Sequence, residues 1–170
     1  MQAPGVEGWH DFFVAQVGAC AALVGLLFVA ISLNIKEIIK YAWLPARGAQ
    51  VLVVLAGALL EASLPLIPSR AVWPIALALI AVGALTWLTS LVLVRAFVRG
   101  VATQHQIAVP RSWTFGYVAG AQVATLPAVA GGVLVLLNDT RGYYWVAAGV
   151  LCTLAFAMYN AWVLLIEILR

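Results

Sequence analysis

The chain predicts an all-α membrane protein, a bundle of five transmembrane helices with its N-terminus outside and its C-terminus inside. Three observations carry that expectation. The 170 residues are 65% hydrophobic and only 9% charged, with a mean hydropathy of +1.08. A water-soluble domain of this size needs far more charge to cover its surface, so the excess apolar side chains are expected to face lipid. The apolar runs are continuous and do not alternate, which argues against a β-barrel. Five of them are long enough, at ~1.5 Å per residue, to cross a hydrocarbon core of ~30 Å.

The first span covers about residues 11–34, with no charge between Asp11 and Lys36. Ala15, Gly18, Ala22 and Gly25 fall three or four apart, so small residues line one stripe of this helix. Small side chains let helix backbones approach closely, and in lipid such approach replaces water expulsion as the drive for association. The stripe is therefore expected to pack against the small-residue ladders of the fourth and fifth spans, making this helix the packing core. Gln16, its one deep polar residue, is expected to point the same way. The preceding tail has no Lys/Arg-rich region, so the span reads as an uncleaved anchor.

A polar break follows, with Lys36 and Lys40 one turn apart and Tyr41 and Trp43 behind them, turning at Pro45. This reads as a helix end emerging through an interface. The second span covers about 46–67, the third 71–98, the fourth 112–137 and the fifth 143–169. The connections are short, the longest being about Arg99 to Arg111, so any function must lie in the bundle or on its two thin surfaces. No internal repeat is evident.

Orientation follows from the cations. With the N-terminus outside, the inner side collects Lys36, Lys40, Arg47, Arg95, Arg99, Arg111 and Arg170, and the outer side only Arg70 and Arg141. Positive charge in short loops concentrates on the cytoplasmic side. Aromatic residues fall at both expected edges: Trp9, Phe12, Phe13, Trp73, Tyr143, Tyr144 and Trp145 at one, Tyr41, Trp43, Phe97, Trp113 and Trp162 towards the other.

The fourth span has the most regular ladder, Gly116, Gly120, Ala124, Ala128 and Gly132. Pro127 sits within it and deprives the Val123 carbonyl of its donor. Gln122 and Thr125 lie close enough to satisfy such groups. The kink reads either as a feature of a tightly packed structural helix or as a hinge lining a pore. On the fifth span, Gly149, Thr153, Ala157, Asn160, Leu164 and Glu167 share one face. Asn160 is too deep to reach water and needs a hydrogen-bond partner.

Glu61 is the one ionisable side chain well inside a span, and Pro65 four residues on removes the usual donor to its carbonyl. Three readings stay open: a protonated or hydrogen-bonded structural carboxyl, a residue lining an aqueous cavity or oligomer pore, or a nearly interfacial residue. Arg70 is the expected cationic partner.

No enzyme is expected, because no Ser/His/Asp set, HExxH or phosphate-cradling glycine loop appears. No cofactor or metal is expected either, since His10 and His105 fall on opposite sides. Cys20 and Cys152, both in apolar runs, read as small hydrophobes at similar depth, able to pair only if their helices touch.

The segments Phe13–Ala19, Gly25–Asn34, Leu44–Arg47, Ala124–Pro127 and Trp162–Arg170 resemble a family of small bacterial inner-membrane proteins. Some members carry the label modulator of the membrane protease FtsH. The resemblance implies a multi-pass protein of the bacterial inner membrane. It implies no activity and no site residues, and nothing in the chain reads as a protease-docking motif.

Two functional classes follow. One is a non-enzymatic scaffold or subunit, whose partners are the lipid bilayer and other copies of the chain or other membrane subunits, with no nucleic acid. The other is an oligomeric channel or transporter for an ion or small solute, with Glu61, Gln16, Gln122, Thr125 and Asn160 as pore or ligand contacts. Helix packing is assigned to Gly18, Ala22, Gly25, Gly116, Gly120, Ala124, Ala128, Gly132, Gly149 and Ala157. A membrane enzyme, or a binder of lipid or quinone, has no nucleophile–base pair or metal cluster behind it.

Overall fold

The structure, a computed structural model, describes residues 7–41, 43–68, 71–103 and 111–168. The expectations placed on Arg70, His105 and Arg170 lie outside the described residues, as do those on the side chains of Arg111, Trp113 and Glu167. Among the described residues the chain is helical throughout: α1 His10–Leu33, α2 Ile35–Ile38, α3 Leu44–Ser63, α4 Trp73–Thr103, α5 Arg111–Leu136 and α6 Gly142–Ile168. Five of these, all but α2, are long and apolar enough to cross a membrane. The protein is a multi-pass, all-helical membrane protein.

The breaks between helices have local causes. Asn34 closes α1 with both its backbone N–H and its side-chain amide, the latter donating to the Ala30 carbonyl at 2.9 Å. Pro45 occupies the first turn of α3, where its missing N–H costs nothing. Pro65 then tightens the far end of α3 into a 3-10 turn over Leu64–Leu66. Between α5 and α6 the chain reverses in a Schellman turn, with Asn138 at φ 60° and the Asp139 N–H donating to the Leu134 carbonyl at 3.0 Å. The Asp139 carboxylate then accepts the Arg141 N–H at 2.9 Å, which starts α6.

In cross-section α3, α4, α5 and α6 form a ring in which each helix packs on the next, and α1 lies outside it against α3. The hub is thus α3, which meets α1, α4 and α6. The expectation that the first span is the packing core is corrected. Helix α1 buries Phe13, Cys20 and Leu27 against the ring, while Ala15, Gly18, Ala22 and Gly25 are exposed on its far side. A Cβ built on Gly18 or Gly25 meets nothing within 4 Å. Large side chains bury more contact area against α3, and that sets how α1 is rotated. Gln16 is half-buried and flanks the Phe13–Cys20 face, so it too points away from the small stripe.

The closest pair is α5 with α6. A Cβ on Gly131 would fall 2.7 Å from the Gly142 carbonyl, and one on Gly142 would fall 2.6 Å from the Gly131 carbonyl. Gly149 sits against Ala128, and Thr153 donates to the Ala124 carbonyl at 2.7 Å. Gly120 faces Phe156 of α6, whereas Gly132 faces Leu79 and Ile80 of α4. Gly116, the first rung of that ladder, is exposed with nothing within 4 Å. Ala157 packs the other way, on Leu27, Val51 and Leu55. The two cysteines are both free, and α1 barely touches α6.

Candidate functional site

Helix α3 carries Arg47, Gln50, Val54, Gly57 and Glu61 at alternating steps of three and four, so all five share one narrow stripe. All five are buried. The facing stripe of α4 is Gly83, Thr86, Ser90 and Phe97, also spaced by three, four and seven, and every member is buried. Two antiparallel helices thus meet along a seam that is polar at most of its levels. From Arg47 to Glu61 is fourteen residues, or about 21 Å of helix.

At one end the Glu61 carboxyl lies over Gly83: a Cβ added there would stand 3.5 Å from its Oε1. Glu61 is 3% exposed, and among the described residues nothing hydrogen-bonds or ion-pairs with it. One turn inward, Gly57 leaves room for the Thr86 side chain, which a Cβ at that position would strike. Next, Gln50 Nε2 donates to Ser90 Oγ at 3.0 Å, while Gln50 Oε1 is buried without a partner.

At the other end Arg47, 1% exposed, donates to Asn160 Oδ1 through Nε at 3.1 Å and Nη2 at 2.8 Å. Asn160 in turn donates from Nδ2 to the Phe156 carbonyl at 2.8 Å. The guanidinium carbon lies 5.2 Å from the Tyr117 ring centre and 5.9 Å from that of Phe97. Tyr117 and Phe97 are themselves 4.4 Å apart, and the aromatic row continues to Trp43 and Phe156. Asn160 thus has the partner its depth demands, and that partner is Arg47.

The five residues singled out as pore or ligand contacts are not brought together. Gln122 accepts from Trp87 Nε1 at 2.7 Å, between α4 and α5. Thr125 donates to the Ala121 carbonyl of its own helix at 2.9 Å, so neither residue is bonded to the Val123 carbonyl that Pro127 leaves open. Gln16 stays on α1, with its Oε1 buried and unpartnered. Glu61 and Asn160 sit near opposite ends of the α3 stripe.

Models of known families, curated proteins and solved structures were all compared with this chain, and none matches. The site is therefore read from its own geometry. Arg47 and Gln50 are not among the expected contacts because neither stands out alone, Arg47 being one more cation at a helix end. The heptad spacing of Arg47, Gln50, Gly57 and Glu61 was the available signal. Chemically the seam offers hydrogen-bonding groups at successive depths, a carboxyl able to exchange a proton and a fixed guanidinium. That equips it to hold charge.

Proposed function

We propose that the protein is a non-enzymatic subunit of the bacterial inner membrane, oriented N-out and C-in, that associates with further copies of itself through the outward face of α1. The carrying observation is that Ala15, Gly18, Ala22 and Gly25 face away from the ring, with open space at Gly18 and Gly25, while most of the α5 and α6 ladders is filled within the fold. The peripheral seat of α1, held mainly by α3, supports the same reading. In a background with Cys20 and Cys152 replaced by alanine, Gly25→Cys in native membranes should cross-link chain to chain on oxidation. Leu85→Cys, exposed on α4, should not. A chain that counts as single by photobleaching in bilayers, with no cross-link at Gly25→Cys, removes this reading.

A second reading, an ion or proton path, is favoured by one observation: the buried Glu61 carboxyl without a partner among the described residues. Intramembrane acids are costly and mark conduction or relay sites more often than packing sites. The seam is tight at Gly57 and Thr86, so such a path needs α3 and α4 to part there. Proton or cation flux in liposomes that is abolished by Glu61→Gln supports it, and liposomes without flux exclude it.

A further inference from the structure

A groove of about 200 Å³ runs between α1 and α6, with Leu55 of α3 as its floor. Its hollow comes from alanines, Ala30 on one wall and Ala157 and Ala161 on the other. Leu26 and Met158 stand on its two rims and are both exposed, so it opens sideways. Among the described residues its lining is apolar except for Asn34, which lies at one end. Towards the opposite end of the bundle the two helices meet. There Trp9 lies 4.6 Å from Tyr144 between ring centres, and Phe13 lies 6.5 Å from Tyr143. The helices thus part from mid-span towards Asn34. We infer that this groove holds one acyl chain of a phospholipid from the leaflet on the Asn34 side.

Length, depth and width all match that occupant. From Leu23 to Asn34 is eleven residues, or about 16 Å of helix. One leaflet supplies half of a hydrocarbon core of ~30 Å, which is about 15 Å. Leu23 stands near the middle of α1 and Asn34 just past its end. The groove therefore begins at mid-span and finishes at the interface, as the chains of a single leaflet do. Spread along ~16 Å, a volume of about 200 Å³ makes a slot only ~4 Å across, whereas a helix with its side chains is ~10 Å across. A second copy of the chain is too broad for it, and an apolar hollow does not hold water. Left empty, its walls would forfeit their dispersion contacts. Lipid tails are as apolar as leucine, so hydrophobicity gives the seated chain no advantage over its neighbours. Packing does, because fixed side chains of three helices enclose it. Seating of the chain is independent of self-association through the outward face of α1.

The experiment uses the full-length chain reconstituted in phosphatidylcholine bilayers. Retained lipid is counted by native mass spectrometry after extraction into mild detergent. Wild type should keep a phosphatidylcholine through detergent exchange. Ala30→Phe and Ala161→Phe fill the hollow from opposite walls, and each should lose that lipid. Ala155→Phe, exposed on α6 and outside the groove, should keep it. A second measurement needs no substitution. A phosphatidylcholine with a diazirine at the end of one acyl chain should label wild type at Leu23, the mid-span end of the groove. Leu85 is the reference, exposed on α4 and twelve residues into it, as Leu23 is thirteen into α1. Equal labelling of Leu23 and Leu85 overturns the inference. So does a wild type that retains no lipid, or equal retention in wild type and both filling variants. A dimer that the filling variants abolish, with no lipid retained, gives the groove to a second copy and overturns it as well.

Discussion

Arg47 and Glu61 lie on the same stripe of α3 and are both almost completely buried, yet they are treated in opposite ways. Arg47 is gripped by Asn160, stacked near two aromatic rings and set beside a cavity. Glu61 meets a glycine on the facing helix and, among the described residues, no hydrogen-bond donor. A buried charge with a built shell resists change, because removing one member strands the rest. A buried carboxyl without one is a local liability. The seam therefore has a structural end and an end open to chemistry.

The largest expected effect breaks the structural end. Asn160→Leu leaves the guanidinium buried without its amide acceptor and should cost roughly 3–5 kcal/mol, read by SDS titration in mixed micelles with tryptophan fluorescence. A loss below about 1 kcal/mol would mean that Arg47 leans on other groups and that Asn160 is dispensable. Next in size is the middle of the seam. Gly57→Leu drives a side chain into Thr86 and should destabilise by about 1–3 kcal/mol, in the same titration. Thr86→Ala added to it should recover part of the loss.

The comparison is sharpened at the other end by a change of opposite sign. Glu61→Met removes a carboxyl that has no partner among the described residues, without opening a void, and should be neutral or stabilising, by about 1 kcal/mol or more. If it destabilises instead, Glu61 has a partner and the contrast with Arg47 collapses. The smallest effect concerns the Gln50–Ser90 bond between the two ends. A double-mutant cycle of Gln50→Leu and Ser90→Ala should give a coupling of about 0.6 kcal/mol, the usual size for hydrogen bonds between membrane helices.

Much of the architecture was readable in advance. Long apolar runs mark the helices because lipid demands internally satisfied backbone, and Pro45, Pro65 and Asn138 mark their ends. The depth of Asn160 announced a need, although only the fold names Arg47 as the answer. The rotation of α1 was not readable. In a soluble helix the polar side points outward, but in lipid both sides are apolar and no such sign exists. Gly18 and Gly25 therefore promise close approach by some helix without saying whether it belongs to the same chain. The heptad run on α3 was legible in principle, since its members differ in charge and size while their spacing is regular.

Helix α4 has a consequence for the membrane that surrounds it. Its 31 residues amount to about 46 Å of helix, against a hydrocarbon thickness of ~30 Å. The excess lies at the Thr103 end, where Arg95 and Arg99 are exposed and can snorkel. Hydrophobic mismatch is taken up by tilt, and α4 is the helix with most room to tilt. It is also one wall of the polar seam, so tilting it slides Ser90, Thr86 and Gly83 past Gln50, Gly57 and Glu61. Acyl-chain length is therefore the variable with which to ask whether bilayer thickness reaches the register of the buried seam.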